Sequence, residues 1–291
     1  MSSAVNHQVS ASERRQSSLA ARPPGSSARR IGAMLSRHFF LIRKSWPRLF
    51  SFAYYPVMQL LSWGFITQYL APQSASQGVL QAVPGILLTG VLLWDVLVRG
   101  ELGLFLSFLE EMYSRNLGNL FVSPLRLHEF VISQMLMSIV RVAIGSGVAL
   151  LVALTFFDLK IAHQTLALTL CLGCLLVFGW AVGLLANGIV LRFGLGAEEI
   201  GWAVVFLILP ISGAYYPVSV LPAWLQTVAY ALPTAWAFEA MRAALIEGRI
   251  AWNLLGISML LNVVYFAGCA LLFWRFVESG RERGLLLQMG E

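Results

Sequence analysis

From Phe50 onward the chain alternates long apolar stretches with short polar breaks. The stretches are Phe50–Leu70, Val83–Val98 (continuing in a more polar vein toward Leu109), Phe130–Phe157, Leu166–Val190, Gly201–Tyr216 and Leu254–Phe276. A bilayer core takes about 20 apolar residues per helix, so the pattern predicts six transmembrane helices, the fifth broken at Pro210. Ahead of them, Ile31–Trp46 is interrupted by Arg37, His38, Arg43 and Lys44. Its Met34, Phe39, Phe40, Leu41 and Ile42 suit an amphipathic helix lying in the interface, basic residues toward the headgroups. A mere juxtamembrane linker is the plainer alternative. Val218–Gly248 is apolar but divided by Pro222 and Pro233 and ended by Glu239 and Arg242, so neither half can span. It predicts two short helices that dip into the outer leaflet and return. Irregular backbone at that depth is tolerated only where protein or a wet cavity surrounds it. The expected fold is therefore all-α, a polytopic membrane protein.

Composition supports this. Of 291 residues, 58% are hydrophobic and 12% charged, with a mean hydropathy of +0.75; a soluble domain carries about 25% charged residues. Lipid must cover much of the surface. The net charge of +6 is unevenly spread, nine of the twenty Lys and Arg lying before residue 49. With the N-terminus inside, sixteen basic residues fall in inside segments and three (Lys160, Arg242, Arg249) outside, while Arg141 lies within a span. This positive-inside bias puts both termini in the cytoplasm. Residues 1–30, rich in Ser, Ala and Arg without an apolar core, read as a disordered cytoplasmic tail, though a transit peptide shares that composition. Residues 31–285 form the membrane domain and 286–291 a short cytoplasmic end. No basic face or groove elsewhere suits nucleic acid.

Candidate chemistry is sparse. Cys171 and Cys174 form a CxxC, but within an apolar run they read as small packing residues. The four histidines lack ligand spacing, so no metal is expected. The chain has two lysines: Lys160 precedes Ile161, and Lys44 precedes Ser45 with no glycine in the ten residues before it. No phosphate cradle can form, and nucleotide would have to be bound by another subunit. Asp95, Arg99, Glu101 and Arg141 are intramembrane charges, a functional hypothesis by default. Asp95 and Arg99 have ion-pair spacing, and Arg141 needs a partner that Asp95 or Glu101 could supply. Gly179 and Gly183 make a GxxxG that allows close helix approach, here more simply within the chain than between subunits. Tyr and Trp at the span ends fit aromatic belts; rings stacking on a sugar or flat amphiphile are the sharper alternative. Within Leu106–Arg126, Glu110, Glu111 and Arg115 sit at helical spacing among Leu106, Phe108, Leu109 and Met112. That suggests a short amphipathic helix, parallel to the membrane, docking on a soluble partner.

These features resemble the permease subunit of a type-2 ABC exporter. The run Ser123, Pro124, Leu125, Arg126, Glu129, Phe130 is similar to the family's coupling-helix region. Pro210, Gly213, Tyr216, Pro217, Leu221, Pro222, Trp224, Leu225, Leu232, Pro233, Phe238, Glu239, Met241, Arg242 and Gly248 match its second signature. The resemblance covers about residues 31–285. It implies two permease copies, each resting on an ATP-binding cassette subunit that carries ATP and Mg, in a bacterial cytoplasmic membrane. Glu110, Glu111, Ser114, Arg115, Asn119 and Pro124 would couple to that ATPase. The helices around Leu221–Ala231 and Trp236–Ile246 would be the extracellular re-entrant pair, carrying the family motif Pro210, Pro217, Pro222, Trp224, Pro233, Glu239 and Arg242. The permease binds no cofactor and breaks no bond; it moves an amphiphilic, lipid or glycan substrate. Asp95, Arg99 and Glu101 make the second span more charged than the family pattern. A secondary transporter coupled through Asp95 and Arg141 is the rival, but no inverted repeat supports it. A membrane enzyme would need a facing cluster of His or carboxylates, which is missing from the sequence.

Overall fold

The computed structural model describes residues 26–43, 46–70, 83–117, 125–157 and 164–282. Among these the chain is helical, without strands. The helices are α1 (Ser27–Arg43), α2 (Trp46–Leu70), α3 (Val83–Tyr113), α4 (Leu127–Phe156), α5 (Thr165–Phe193), α6 (Glu198–Ile208), α7 (Ala223–Ala231), α8 (Pro233–Glu247) and α9 (Trp252–Glu282). Most of the expected tail, the Asn119 and Pro124 positions, Lys160 and residues 286–291 lie outside the described residues.

Three helices, α4, α5 and α9, are long and apolar enough to cross a membrane. α2 and α3, at 25 and 31 residues, have the length but are more polar. α4 shows a lengthwise stripe of exposed Ile132, Leu136, Ile139, Val140, Leu151 and Leu154, and α9 exposes Met259, Leu260, Val263 and Leu272. Such contiguous apolar faces are foreign to a soluble monomer. The chain is an integral membrane protein.

α5 is the most buried of the three and packs most extensively on α3 and α9. The reason is written in its small residues. A Cβ at Gly179 would stand 2.4 Å from the Leu97 carbonyl oxygen, and one at Gly183 would stand 2.8 Å from that of Glu101. Gly100 faces the same seam, so two backbones meet where side chains would hold them apart. The GxxxG is thus an intrachain contact. On either side lie two apolar clusters. One joins Trp94, Leu97, Leu175, Phe178, Phe238 and Met241. The other joins Met34, Phe105, Phe108, Met112, Leu184 and Phe273.

Three expectations change. The fifth apolar stretch holds an α-helix of only 11 residues, followed by a 3-10 turn at Leu209–Ile211. At 1.5 Å per residue that helix is about 16 Å long, short of a bilayer core. Pro210 offers no N–H to continue the ladder. α3 runs unbroken through Tyr113, so Leu106–Tyr113 extend the long helix instead of forming a separate one. α1 begins at Ser27, four residues before the expected start, because Arg30 already has a partner on α4.

Candidate functional site

The segment expected to couple begins at the end of α3. There Ser114 N–H donates to Glu110 O (3.1 Å), Arg115 N–H to Met112 O (2.9 Å) and Asn116 N–H to Glu111 O (3.0 Å). Arg115 takes a left-handed conformation (φ 52°), in the place where glycine usually ends a helix. For a residue with a long side chain this conformation is uncommon and costs energy. It turns the chain sharply and leaves Tyr113, Ser114 and Arg115 exposed.

The two acidic residues here face different ways. Glu110 is half-buried, whereas Glu111 is 2% exposed. Glu111 accepts Arg37 Nη1 at 2.5 Å and Asn116 Nδ2 at 2.7 Å. A buried carboxylate needs such partners. Glu111 therefore helps to hold α1 and the turn in place. Arg37 comes from α1, and so does Arg30. The Arg30 guanidinium grips Glu129 through Nε (2.8 Å) and Nη2 (2.6 Å), and Glu129 also accepts the Arg126 N–H (3.0 Å) at the start of α4. Arg37, expected toward the headgroups, and Arg30, expected in the tail, are thus engaged with the fold, while Arg29, Phe39, Phe40 and Arg43 stay exposed. α1 is pinned to both flanks of the α3–α4 connection. Between the pins His38 is buried, its Nδ1 donating to Met34 O at 2.9 Å, and burial pushes its imidazole pKa down. One sign of these pins was open to sequence reading: Glu129 stands three residues past the helix start, the place for a reaching-back acid.

A third contact was not foreseen. Tyr113 donates its hydroxyl to Glu198 at the first turn of α6, and Trp202 Nε1 donates to the same carboxylate at 3.3 Å. Nothing in local spacing links residues 85 apart.

The intramembrane charges separate into two groups. Asp95 pairs with Arg99 at 2.6 Å, the expected i,i+4 bridge, and accepts Ser146 Oγ at 3.1 Å. Arg141 donates to Gly103 O at 3.4 Å and lies 5.6 Å from the centre of the Phe52 ring. Glu101, 0% exposed on the glycine seam, accepts no hydrogen bond among the described residues. So the expected partnership of Arg141 with Asp95 or Glu101 does not form; a carbonyl and an aromatic face stand in its place.

The second signature folds into a lock. Gly213 adopts φ 75°, where an L side chain would be strained. Its carbonyl accepts Arg242 Nη2 at 2.8 Å, and Arg242 also pairs with Glu239 at 3.2 Å. Glu239 accepts the Val218 N–H at 3.2 Å. Pro210 O accepts the Tyr216 hydroxyl (2.7 Å), Pro217 precedes the 3-10 turn Val218–Val220, and Pro222 starts α7, its carbonyl accepting Leu225 N–H (2.8 Å). Pro233 starts α8 and accepts Ser258 Oγ at 2.9 Å. Of the seven, Pro233 and Arg242 are buried and Glu239 is half-buried, while the other four are exposed, Trp224 at 70%. Tyr215 ties the turn to α2, stacking on Trp63 (4.7 Å) and accepting Gln59 Nε2 (3.0 Å).

Among the described residues no group of His, Cys, Asp and Glu could hold a metal. Cys171 is buried and Cys174 half-buried, both free.

A comparison with curated proteins finds no match. A family model described as ABC-2 type transporter matches residues 29–246, from the first turn of α1 to the last turn of α8. That stretch is well over half of the chain and takes in both the α3–α4 connection and the proline-rich lock, so the chain belongs to the ABC-2 type transporter family.

Proposed function

We propose that this chain is the permease subunit of an ATP-driven exporter, with α6 and the 3-10 turns on either side of it (Leu195–Ala197 and Leu209–Ile211) together making the fifth of six spans, and both termini in the cytoplasm. Two copies form the pathway, and each rests on a separate ATP-binding subunit that carries ATP and Mg. Members of the family are non-catalytic membrane subunits. This chain binds no nucleotide and moves an amphiphile, lipid or glycan. α7 and α8 form the extracellular re-entrant pair. The observation that carries the reading is the turn at the end of α3: an exposed, left-handed Arg115 beside Ser114 and Glu110, braced from behind by Glu111 and Arg37. A rigid, projecting turn can transmit the closure of a soluble partner into a two-state rearrangement of the spans.

Coupling through this turn is tested by charge reversal at exposed Arg115 and half-buried Glu110. Arg115→Glu with Glu110→Lys should reduce copurification of the ATP-binding subunit about tenfold. Intact binding and intact ATP-dependent transport in that variant would falsify the assignment. Glu111→Lys is a poor test, since it also breaks the buried contact with Arg37.

An ion-coupled transporter built on Asp95 and Arg141 is not favoured. The Asp95 carboxylate is taken by Arg99 and Ser146, and Arg141 points to the Gly103 carbonyl.

A further inference from the structure

α6 and the turn that follows it run along α3 and touch it at three levels. At one end Tyr113 donates to Glu198. In the middle Phe105 meets Trp202 edge-on at 6.0 Å, and a Cβ on Gly201 would stand 2.3 Å from the Phe105 ring. At the far end the Ala214 carbonyl approaches Gly90 so closely that a Cβ there would be 2.4 Å from it. Beyond this point the 212–218 turn is held by Arg242 and Glu239, both on α8. An unbroken chain of contacts thus leads from the turn after α3, along α6, to the α7–α8 hairpin.

The three levels differ in kind. The middle contact is apolar, and apolar helix faces can slide by small amounts as packed elements shear. The far contact is a close steric fit. The Tyr113–Glu198 hydrogen bond is directional, and it ties α6 to the residues next to the proposed docking turn. It fixes the lengthwise register of α6 on α3.

Building on the permease reading above, we infer that α6 is a strut that carries displacement of the α3 turn to the α7–α8 hairpin, with Tyr113 and Glu198 as its positioning joint. When the turn is pushed, α6 follows because its first residue is tied to Tyr113; its far end then moves the 212–218 turn, and α8 moves with it. Coupling of this kind requires an element with two arrangements that both sites bias, and the test is built on that requirement.

The full chain is reconstituted with its ATP-binding subunit in lipid nanodiscs, with an environment-sensitive fluorophore on Ser219→Cys, an exposed position in the hairpin approach. ATP should change the signal in the otherwise wild-type complex. Tyr113→Phe and Glu198→Ala should each cut that change about fivefold while ATP hydrolysis stays within about twofold. Tyr113 is 59% exposed, so its loss does not threaten folding. Glu198→Gln keeps an acceptor for the hydroxyl and should retain most of the response. Glu199→Ala removes the neighbouring exposed carboxylate in the same helical turn and should retain all of it. A full response in both Tyr113→Phe and Glu198→Ala overturns the strut and leaves the permease reading standing. Loss of ATP hydrolysis along with the signal overturns it too, since Tyr113 would then belong to the docking surface. A wild-type chain that binds no ATP-binding subunit sinks the permease reading, and the strut falls with it.

Discussion

Three glycines on α5 make a controlled experiment. A methyl group at Gly179 would sit 2.4 Å from the Leu97 carbonyl oxygen, while one at Gly173, six residues earlier on the same helix, meets nothing within 4 Å. Ordinary contact lies near 3.4 Å, so Gly179→Ala must push α3 and α5 apart by about 1 Å or bend one of them, and overpacking of this kind costs about 1–3 kcal/mol. The obstacle is backbone, which cannot swing aside as a side chain can. Gly173→Ala should gain instead, by about 0.4–1 kcal/mol, because alanine loses less freedom on forming the helix. Gly183→Ala, at 2.8 Å from the Glu101 carbonyl, should fall between. The two extreme variants should then differ by about 2–3 kcal/mol, and each kcal/mol moves a melting temperature by roughly 2–4 °C in a domain of this size. Thermal unfolding of the detergent-solubilised chain, followed by retention of the monodisperse peak, reads the difference. Equal melting temperatures for Gly179→Ala and Gly173→Ala would show that the helices are not in backbone contact there.

Arg242→Met should cost about 3 kcal/mol, because it removes the Gly213 contact and strands Glu239 in partly buried surroundings. Arg242→Lys should recover part of that, since one ammonium matches the two-sided geometry poorly; thermal unfolding of both variants checks the order. Arg37→Glu should loosen α1 from the end of α3, and adding Glu111→Arg should restore more than half of the loss. Tryptic cleavage at exposed Arg29 and Arg43 reports it, and a double variant no better than the single one would speak against the pin. His38 is buried neutral, facing Arg37 and Arg141, which oppose its protonation, and Glu111, which favours it. The released helix takes up the proton first, so docking of α1 is fully present above the ordinary histidine pKa near 6.5 and weakens as pH falls below it. Relative to cleavage of an unstructured Arg peptide by trypsin at the same pH, cleavage of α1 should be faster at about pH 5.5 than at about pH 7.5, and His38→Phe should flatten that difference. An unaltered pH profile in the variant would place the sensitivity elsewhere.

Periodicity and length revealed the long apolar helices, because burial in lipid imposes a continuous apolar run that survives in any register. Pro222, Pro233 and Gly248 likewise announced α7 and α8, since proline and glycine act on the backbone at their own positions. The short fifth helix was half legible: Pro210 marked the break, but apolar Gly201–Pro210 looked the same as a span. The difference between Glu110 and Glu111 was not legible, because the two look alike in sequence whereas the fold half-buries the first and fully buries the second. Whether a carboxylate is a docking charge or a buried tie depends on what packs over it, here Arg37 from 74 residues away. Tyr113 and Glu198 escaped for the same reason, and no local pattern records a long-range hydrogen bond.

The proline-rich lock has a consequence for how kinship is interpreted. Pro210, Pro217, Pro222, Pro233, Glu239 and Arg242 engage the backbone or one another. Residues committed to holding a bend have no freedom left to choose among cargoes. Permeases that share these positions with this chain share the bend they hold, whatever each one carries.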